Sequence, residues 1–266
     1  MGTLDYRRFQ MDKACFHLRD LEGKWALVTG AASGIGNAVC LAFMTAGTHV
    51  VAVDAASPFP NSWRFRDYHA IYEADVRNSP SLYAPFHFLD KTKRSYDIVV
   101  HCAGVAGGCN FETMPDTEWE RVVGTNLKGT FNVAQMAGEH FIKHNKKGSL
   151  ILMGSISGIV ANGPEFANAH YCASKGGVHM MAKSLAVEWA KHGIRVNVVA
   201  PGLTNTAMVA KARETRPEAL EAFEKRHPLG ACSPTDIVGP VLFLASEMSE
   251  KITGHILTVD GGYTAQ

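Results

Sequence analysis

The stretch LVTGAASGIG, residues 27–36, decides the fold. An apolar β-branched run leads into it, glycines follow at Gly30, Gly34 and Gly36, and an amphipathic segment leads out. Glycines so placed let the backbone approach a pyrophosphate, and the N-terminus of the next helix, entered through Ile35, favours its negative charge. The spacing G-x-x-x-G-x-G differs from the G-x-G-x-x-G fingerprint, and a glycine-rich strand-to-helix turn can also be purely structural. A second residue weighs for cofactor binding. Asp54 closes the next apolar run, where a carboxylate can accept hydrogen bonds from the ribose hydroxyls of an adenosine. The same carboxylate would repel a 2′-phosphate, and Ser33 rather than a basic residue precedes Gly34, so NAD is expected rather than NADP.

Outward from this turn, short apolar runs alternate with longer amphipathic segments. The runs are 25–30, 48–54, 70–76, 97–104, 148–155, 194–202 and 255–262. Their near-continuous apolar character suits strands covered on both faces, which predicts an α/β chain with a doubly wound parallel sheet in a single domain. Helices are expected over 35–46, 116–144, 168–192 and 234–246. Residues 55–69 hold Pro58 and Pro60 with little helical periodicity, so the crossover there is expected to be short or a loop.

Lys plus Arg total 26 against 25 for Asp plus Glu, with no block of one sign, which argues against nucleic acid or an acidic membrane as partner and for a small molecule. The six cysteines are scattered without a C-x-x-C pair; that suits a reducing compartment and predicts neither a disulfide framework nor a metal site. Residues 1–20 are polar, without an apolar leader segment, and no run of eighteen apolar residues occurs, so a cytoplasmic protein is expected.

Chemistry enters with HYCASKGG, residues 170–177. Tyr171 and Lys175 are four apart and would project from one face of a helix. An ammonium beside a phenol favours the phenolate; lowering a tyrosine by about three units from ~10 needs roughly 4 kcal/mol, after which it serves as a base near neutral pH. Taken alone, the pair also fits a surface helix whose Tyr and Lys are solvated neighbours.

TGxxxGIG at 29–36, HCAG at 101–104, Asn126, Ser155, Tyr171-x-x-x-Lys175, PG at 201–202 and VDGG at 259–262 together resemble the short-chain dehydrogenase/reductase family over about residues 21–266. The resemblance implies a Rossmann-type domain over 21–266 behind an N-terminal arm at 1–20, a homotetramer, and hydride transfer between NAD(P) and an alcohol or carbonyl. It implies Tyr171 as the acid/base, with Lys175 holding the nicotinamide ribose and lowering the tyrosine's pKa. Ser155 would bond the substrate oxygen, and Asn126 would position a water and the lysine. It further implies cofactor contacts from Asp75 and Val76 to the adenine, from Ala103 and Gly104, and from Pro201, Gly202, Thr204 and Thr206 near the pyrophosphate. Ser157 competes with Ser155 within GSISG, and the resemblance favours Ser155, because the family's serine generally lies three residues before the glycine matching Gly158. The family commonly has Asn where this chain has His101, which reads as a packing residue or as a second proton shuttle.

The run before Tyr171 resembles the polyol and sugar dehydrogenase branch, and Ser157, Asn162, Glu165 and His170 would offer partners to a polyhydroxylated ligand. The resemblance also implies a substrate lid over residues 203–230, whose Ala, Glu, Lys and Arg content equally fits plain exposed helix. Two other functions stay open: an NADPH-dependent reductase of 3-oxoacyl thioesters or a bulky ketone, and a non-catalytic nucleotide-binding protein.

Overall fold

The computed structural model describes residues 19–55, 70–90, 92, 94–163 and 166–266. The expected runs form seven strands: β1 Trp25–Thr29, β2 His49–Asp54, β3 Ala70–Glu73, β4 Ile98–His101, β5 Ser149–Met153, β6 Arg195–Pro201 and β7 Ile256–Val259. All pair in parallel, in the order β3-β2-β1-β4-β5-β6-β7. The run expected at 70–76 keeps only its first four residues as strand, because Asp54, the last of β2, pairs with Glu73.

Alternation of side chains across each strand makes two cores. Leu27, Val51, Val99, Leu150 and Val196 face one side and pack with Val133, Phe141, Val178 and Trp189. Val28, Val50, Val100, Ile151 and Val199 face the other and pack with Val39, Phe43, Ile237 and Leu244. Each such side chain, fully buried, contributes on the order of 1.5–3 kcal/mol before the entropy of ordering is subtracted, so apolar runs in a two-faced sheet are what the chain requires.

The helices over these faces are α1 Gly34–Thr45, α2 Asp116–Val123, α3 Gly129–Lys143, α4 Ala169–Trp189, α5 Ala207–Thr215, α6 Pro217–Glu224 and α7 Pro234–Ala245. The single helix expected over 116–144 is instead interrupted by a π-helical turn, Gly124–Lys128, where the Gly129 N–H reaches back to the Gly124 carbonyl. Such wide turns recur at functional sites, and this one carries Asn126. The segment expected as a lid holds two short helices, α5 and α6, and Leu220 and Phe223 of α6 are buried with Ile156 and Leu203. Most of the proline-containing segment and of the N-terminal arm, residues 56–69 and 1–18, lies outside the described residues. Among the described residues no helix is long and apolar enough to cross a membrane.

Candidate active site

The strand order reverses between β1 and β4, and in open α/β sheets ligands bind beyond the carboxyl ends of the strands at that point. The two loops there touch. A Cβ on Gly30 would stand 2.6 Å from the Ala103 nitrogen, and Gly30 has φ +67°, so the position takes glycine on both counts. Gly36 is pressed onto the same turn, where a Cβ would meet the Gly30 oxygen at 2.1 Å. Ser33 is the N-cap of α1, extended and not capping through its side chain. Gly34 follows with φ +52° and faces the Thr206 methyl, so the N-cap of α5 closes over the glycine turn. Ile35 is half-buried against the core on the α1 side. Asp54, half-buried at the end of β2, accepts the Ala32 N–H at 2.9 Å.

The other expected cofactor positions are less uniform. The Asp75 carboxylate is taken up by Arg77, whose backbone and guanidinium nitrogens lie 2.6–3.1 Å from it, and that pairing lowers its pKa. Val76 is buried, with its carbonyl bonded to the Asn132 amide at 2.8 Å. Pro201 ends β6, and Gly202 lies so close to Asp260 that a Cβ would come 2.8 Å from the Asp260 Cα. The Thr204 hydroxyl donates to the Gly202 carbonyl at 3.2 Å. Asp260, which no cofactor expectation included, holds the chain end by accepting the Gly262 and Thr264 N–H groups.

Beyond β5 and on α4 the chemistry-bearing side chains converge. Ser155 is buried, its hydroxyl near enough to the Tyr171 phenol to lower its pKa, and its Oγ accepts the Ser157 N–H at 3.1 Å. Ser157 and Asn162 bond each other side chain to side chain at 3.0 Å. Lys175 is buried with Nζ donating to the Met153 carbonyl at 2.8 Å, the one hydrogen bond it makes to described residues. Two ammonium hydrogens remain beside Gly104, where a Cβ would stand 3.6 Å from Nζ. A desolvated ammonium with donors to spare at the switch point fits the hydroxyls of a nicotinamide ribose. Asn126, fully buried, holds the Val105 backbone at both ends, accepting its N–H at 2.8 Å and donating to its carbonyl at 3.0 Å.

The lowered phenol expected at Tyr171 is not what the packing gives: burial raises it above its ordinary value, and the Ser155 hydroxyl pulls it back. Lys175 Nζ lies 5.8 Å from the ring centroid, and burial draws the lysine itself down to about 8. His101 follows its packing reading. It is buried, with Nδ1 2.7 Å from the Thr29 hydroxyl, and burial pushes the imidazole down to about 3.

Of the substrate-side expectations, Ser157 and Asn162 stand beside Ser155, while Glu165 lies outside the described residues. His170 is turned away from solvent, with Nε2 3.4 Å from Glu118, which is itself held by Arg121. His179 was missed. It lies four residues beyond Lys175, and the same i, i+4 spacing that singled out Tyr171 and Lys175 would have found it.

The model of the enoyl-(acyl carrier protein) reductase family matches residues 30–264. A galactitol 2-dehydrogenase (L-tagatose-forming) of Cereibacter sphaeroides is 36% identical over 98% of this chain and 99% of its own. A 3-oxoacyl-[acyl-carrier-protein] reductase of Thermotoga maritima is also 36% identical, over 91% of this chain and 98% of its own. Among solved structures, a short-chain type dehydrogenase/reductase from Mycobacterium marinum superposes with a TM-score of 0.86 at 33% identity, covering 94% of this chain and 98% of that one.

Proposed function

This chain belongs to the short-chain dehydrogenase/reductase family, and we propose that it oxidises a secondary alcohol of a polyol, sugar or sugar-derived acid with NAD. Family membership makes it an oxidoreductase acting on CH–OH groups with a nicotinamide cofactor. The observation that carries the reading is the convergence of Ser155, Tyr171 and Lys175 beyond the switch point. Alcohol oxidation needs a base at the hydroxyl and a donor to the oxygen as charge develops there. Tyr171 takes the proton and Ser155 donates to the oxygen. Lys175 and Asp54 would hold the two riboses of the cofactor, and the turn at Gly30, Gly34 and Gly36, which Thr206 faces, would take its pyrophosphate. When bound, the nicotinamide supplies the hydride acceptor. Burial leaves the Tyr171 phenol high, so its activation falls to the positive charges that gather at Lys175 once the site is loaded.

For the substrate class, the Ser157–Asn162 pair supports a polyhydroxylated ligand, as does the full-length similarity to a galactitol 2-dehydrogenase. A second reading, reduction of a 3-oxoacyl thioester, draws on the equal identity to the Thermotoga protein and on the apolar packing of Phe166, Val209, Leu220 and Phe223 at the lid. Against it stands Asp54, which disfavours NADPH. Incubation with NAD and, separately, NADP across polyols, sugars, sugar acids and 3-hydroxyacyl thioesters, followed by nicotinamide absorbance, tests both. Turnover of a polyhydroxylated alcohol with NAD is expected; turnover confined to thioesters or to NADP would overturn the substrate or the cofactor assignment respectively.

The proposal includes a homotetramer in the cytoplasm. Met180 and Val187 on α4 are 65% and 82% exposed, and Phe131 on α3 is also exposed; these faces support subunit pairing. A solution mass equal to one chain would contradict it.

A further inference from the structure

We propose that His179 is a positioning residue for Ser155, and through it for the Tyr171 hydroxyl; this rests on the roles assigned above to those two residues. Tyr171, Lys175 and His179 follow at four-residue intervals on α4, so the imidazole emerges one turn beyond the lysine on the same side of the helix.

The ring is buried in a slot between the two glycines that bracket the serine turn. A Cβ on Gly154 would stand 2.3 Å from Nε2, and one on Gly158 would stand 2.7 Å from Cε1. Neither glycine has a positive φ. Space, not backbone freedom, therefore sets these two positions, and the ring fills it together with Val198 Cγ1 at Gly154 and the Lys175 backbone at Gly158.

Inside the slot, Nε2 lies 3.4 Å from the Ser155 nitrogen and accepts its N–H. That bond fixes the plane of the peptide from which the serine side chain leaves, while the Ser157 N–H holds Oγ from the other side. Together they aim the hydroxyl at Tyr171. An acceptor role needs a neutral ring, and burial, with the charges of Lys175 and Lys183 on the same helix, draws the imidazole down to about 4. The ring thus accepts throughout the neutral range, with its proton on Nδ1.

A double-mutant cycle on the full-length protein tests this, with galactitol, or the polyol that the substrate panel selects, as substrate. His179→Leu removes the acceptor at similar volume; it is expected to lower kcat at least 10-fold while NAD affinity changes less than 2-fold. His179→Gln retains an acceptor at the same reach and should recover most of the loss. Ser155→Ala is itself expected to be nearly inactive, and adding His179→Leu to it should cost less than a further 2-fold. Because the Ser155 hydroxyl lowers the phenol pKa, the rising limb of the kcat/KM pH profile should move upward in His179→Leu, in the same direction as in Ser155→Ala.

Equal losses from His179→Leu in both backgrounds, or a loss of NAD affinity matching the loss of kcat, would overturn the proposal and assign His179 to Lys175 or to general packing. Near-normal turnover of His179→Leu with Ser155→Ala inactive would overturn it while leaving the reading of Ser155 intact. Near-normal turnover of Ser155→Ala would overturn that reading, and the proposal with it. Should His179→Leu fail to fold, His179→Gln and His179→Asn decide: Asn is too short to reach the Ser155 N–H, so equal activity of the two overturns the proposal and a Gln advantage supports it.

Discussion

The Asp54 carboxylate accepts the Ala32 backbone N–H at 2.9 Å, so the acid that ends β2 is fastened to the glycine turn after β1. The bond fixes the direction of the carboxylate beside the turn proposed to carry the pyrophosphate. Each charge-assisted hydrogen bond to a ribose hydroxyl is worth roughly 1.5–3 kcal/mol. Asp54→Ala is therefore expected to weaken NAD about 10- to 100-fold and to narrow its advantage over NADP, read by cofactor titration. Unchanged cofactor constants would remove Asp54 from the role.

Tyr171→Phe removes the phenol oxygen and keeps the ring. NAD binding should stay within a few-fold, because the ribose is proposed to be held chiefly by Lys175, whereas turnover should fall by on the order of 1,000-fold or more, since general acid–base catalysis alone is worth about 100- to 10,000-fold. A variant that kept near-normal kcat would sink the mechanism.

Asn126 offers a test of the π-helical turn. Its side chain satisfies both the N–H and the carbonyl of Val105 and also donates to Ser174 at 3.2 Å. Replacing it with Ala leaves two backbone groups without that partner next to Gly104. At ~1–3 kcal/mol for each buried group left unsatisfied, a loss of about 2–6 kcal/mol in unfolding free energy is expected, together with weaker cofactor binding. Unaltered denaturant midpoints would show that water replaces the amide.

What could be read before the structure was whatever depends on local repetition. Seven apolar runs became seven strands because burial on both faces demands β-branched continuity, and the Gly30–Gly36 spacing located the switch point because close backbone approach leaves a signature in residue type. The interruption of the helix at Gly124–Lys128 left no such signature: both halves keep a helical period, and the wide turn is tied to contacts that Asn126 makes 21 residues away with Val105. The sign of the Tyr171 shift was illegible for a similar reason. Sequence spacing brings the lysine near, but only the folded packing shows that the phenol is buried deeply enough to be raised. His179 fell between the two cases: its spacing was visible, while the slot made by Gly154 and Gly158 was not.

Acid should destabilise this protein earlier than its carboxylates alone would. His101 is held down to about 3, and His140 and His179 to about 4, in each case first by burial. An unfolded histidine titrates near ~6.5. Between that value and about 4, the unfolded chain binds up to three protons that the folded chain refuses, so stability rises with pH across the window and is lost as pH falls through it. With all three contributing, the slope approaches about 4 kcal/mol per pH unit. The lowered carboxylates, Asp75, Asp90, Glu118 and Asp260, act in the same direction but only at more acidic pH, around and below their ordinary values. His140 allows a clean check, because its Nε2 accepts the Tyr96 N–H at 3.0 Å and a glutamine can supply an acceptor there without titrating. Urea unfolding of the wild type and of His140→Gln at pH 7, 6 and 5 should give a slope about one-third shallower in the variant. Parallel slopes would mean that His140 is protonated in the folded protein, and that burial does not hold its pKa down.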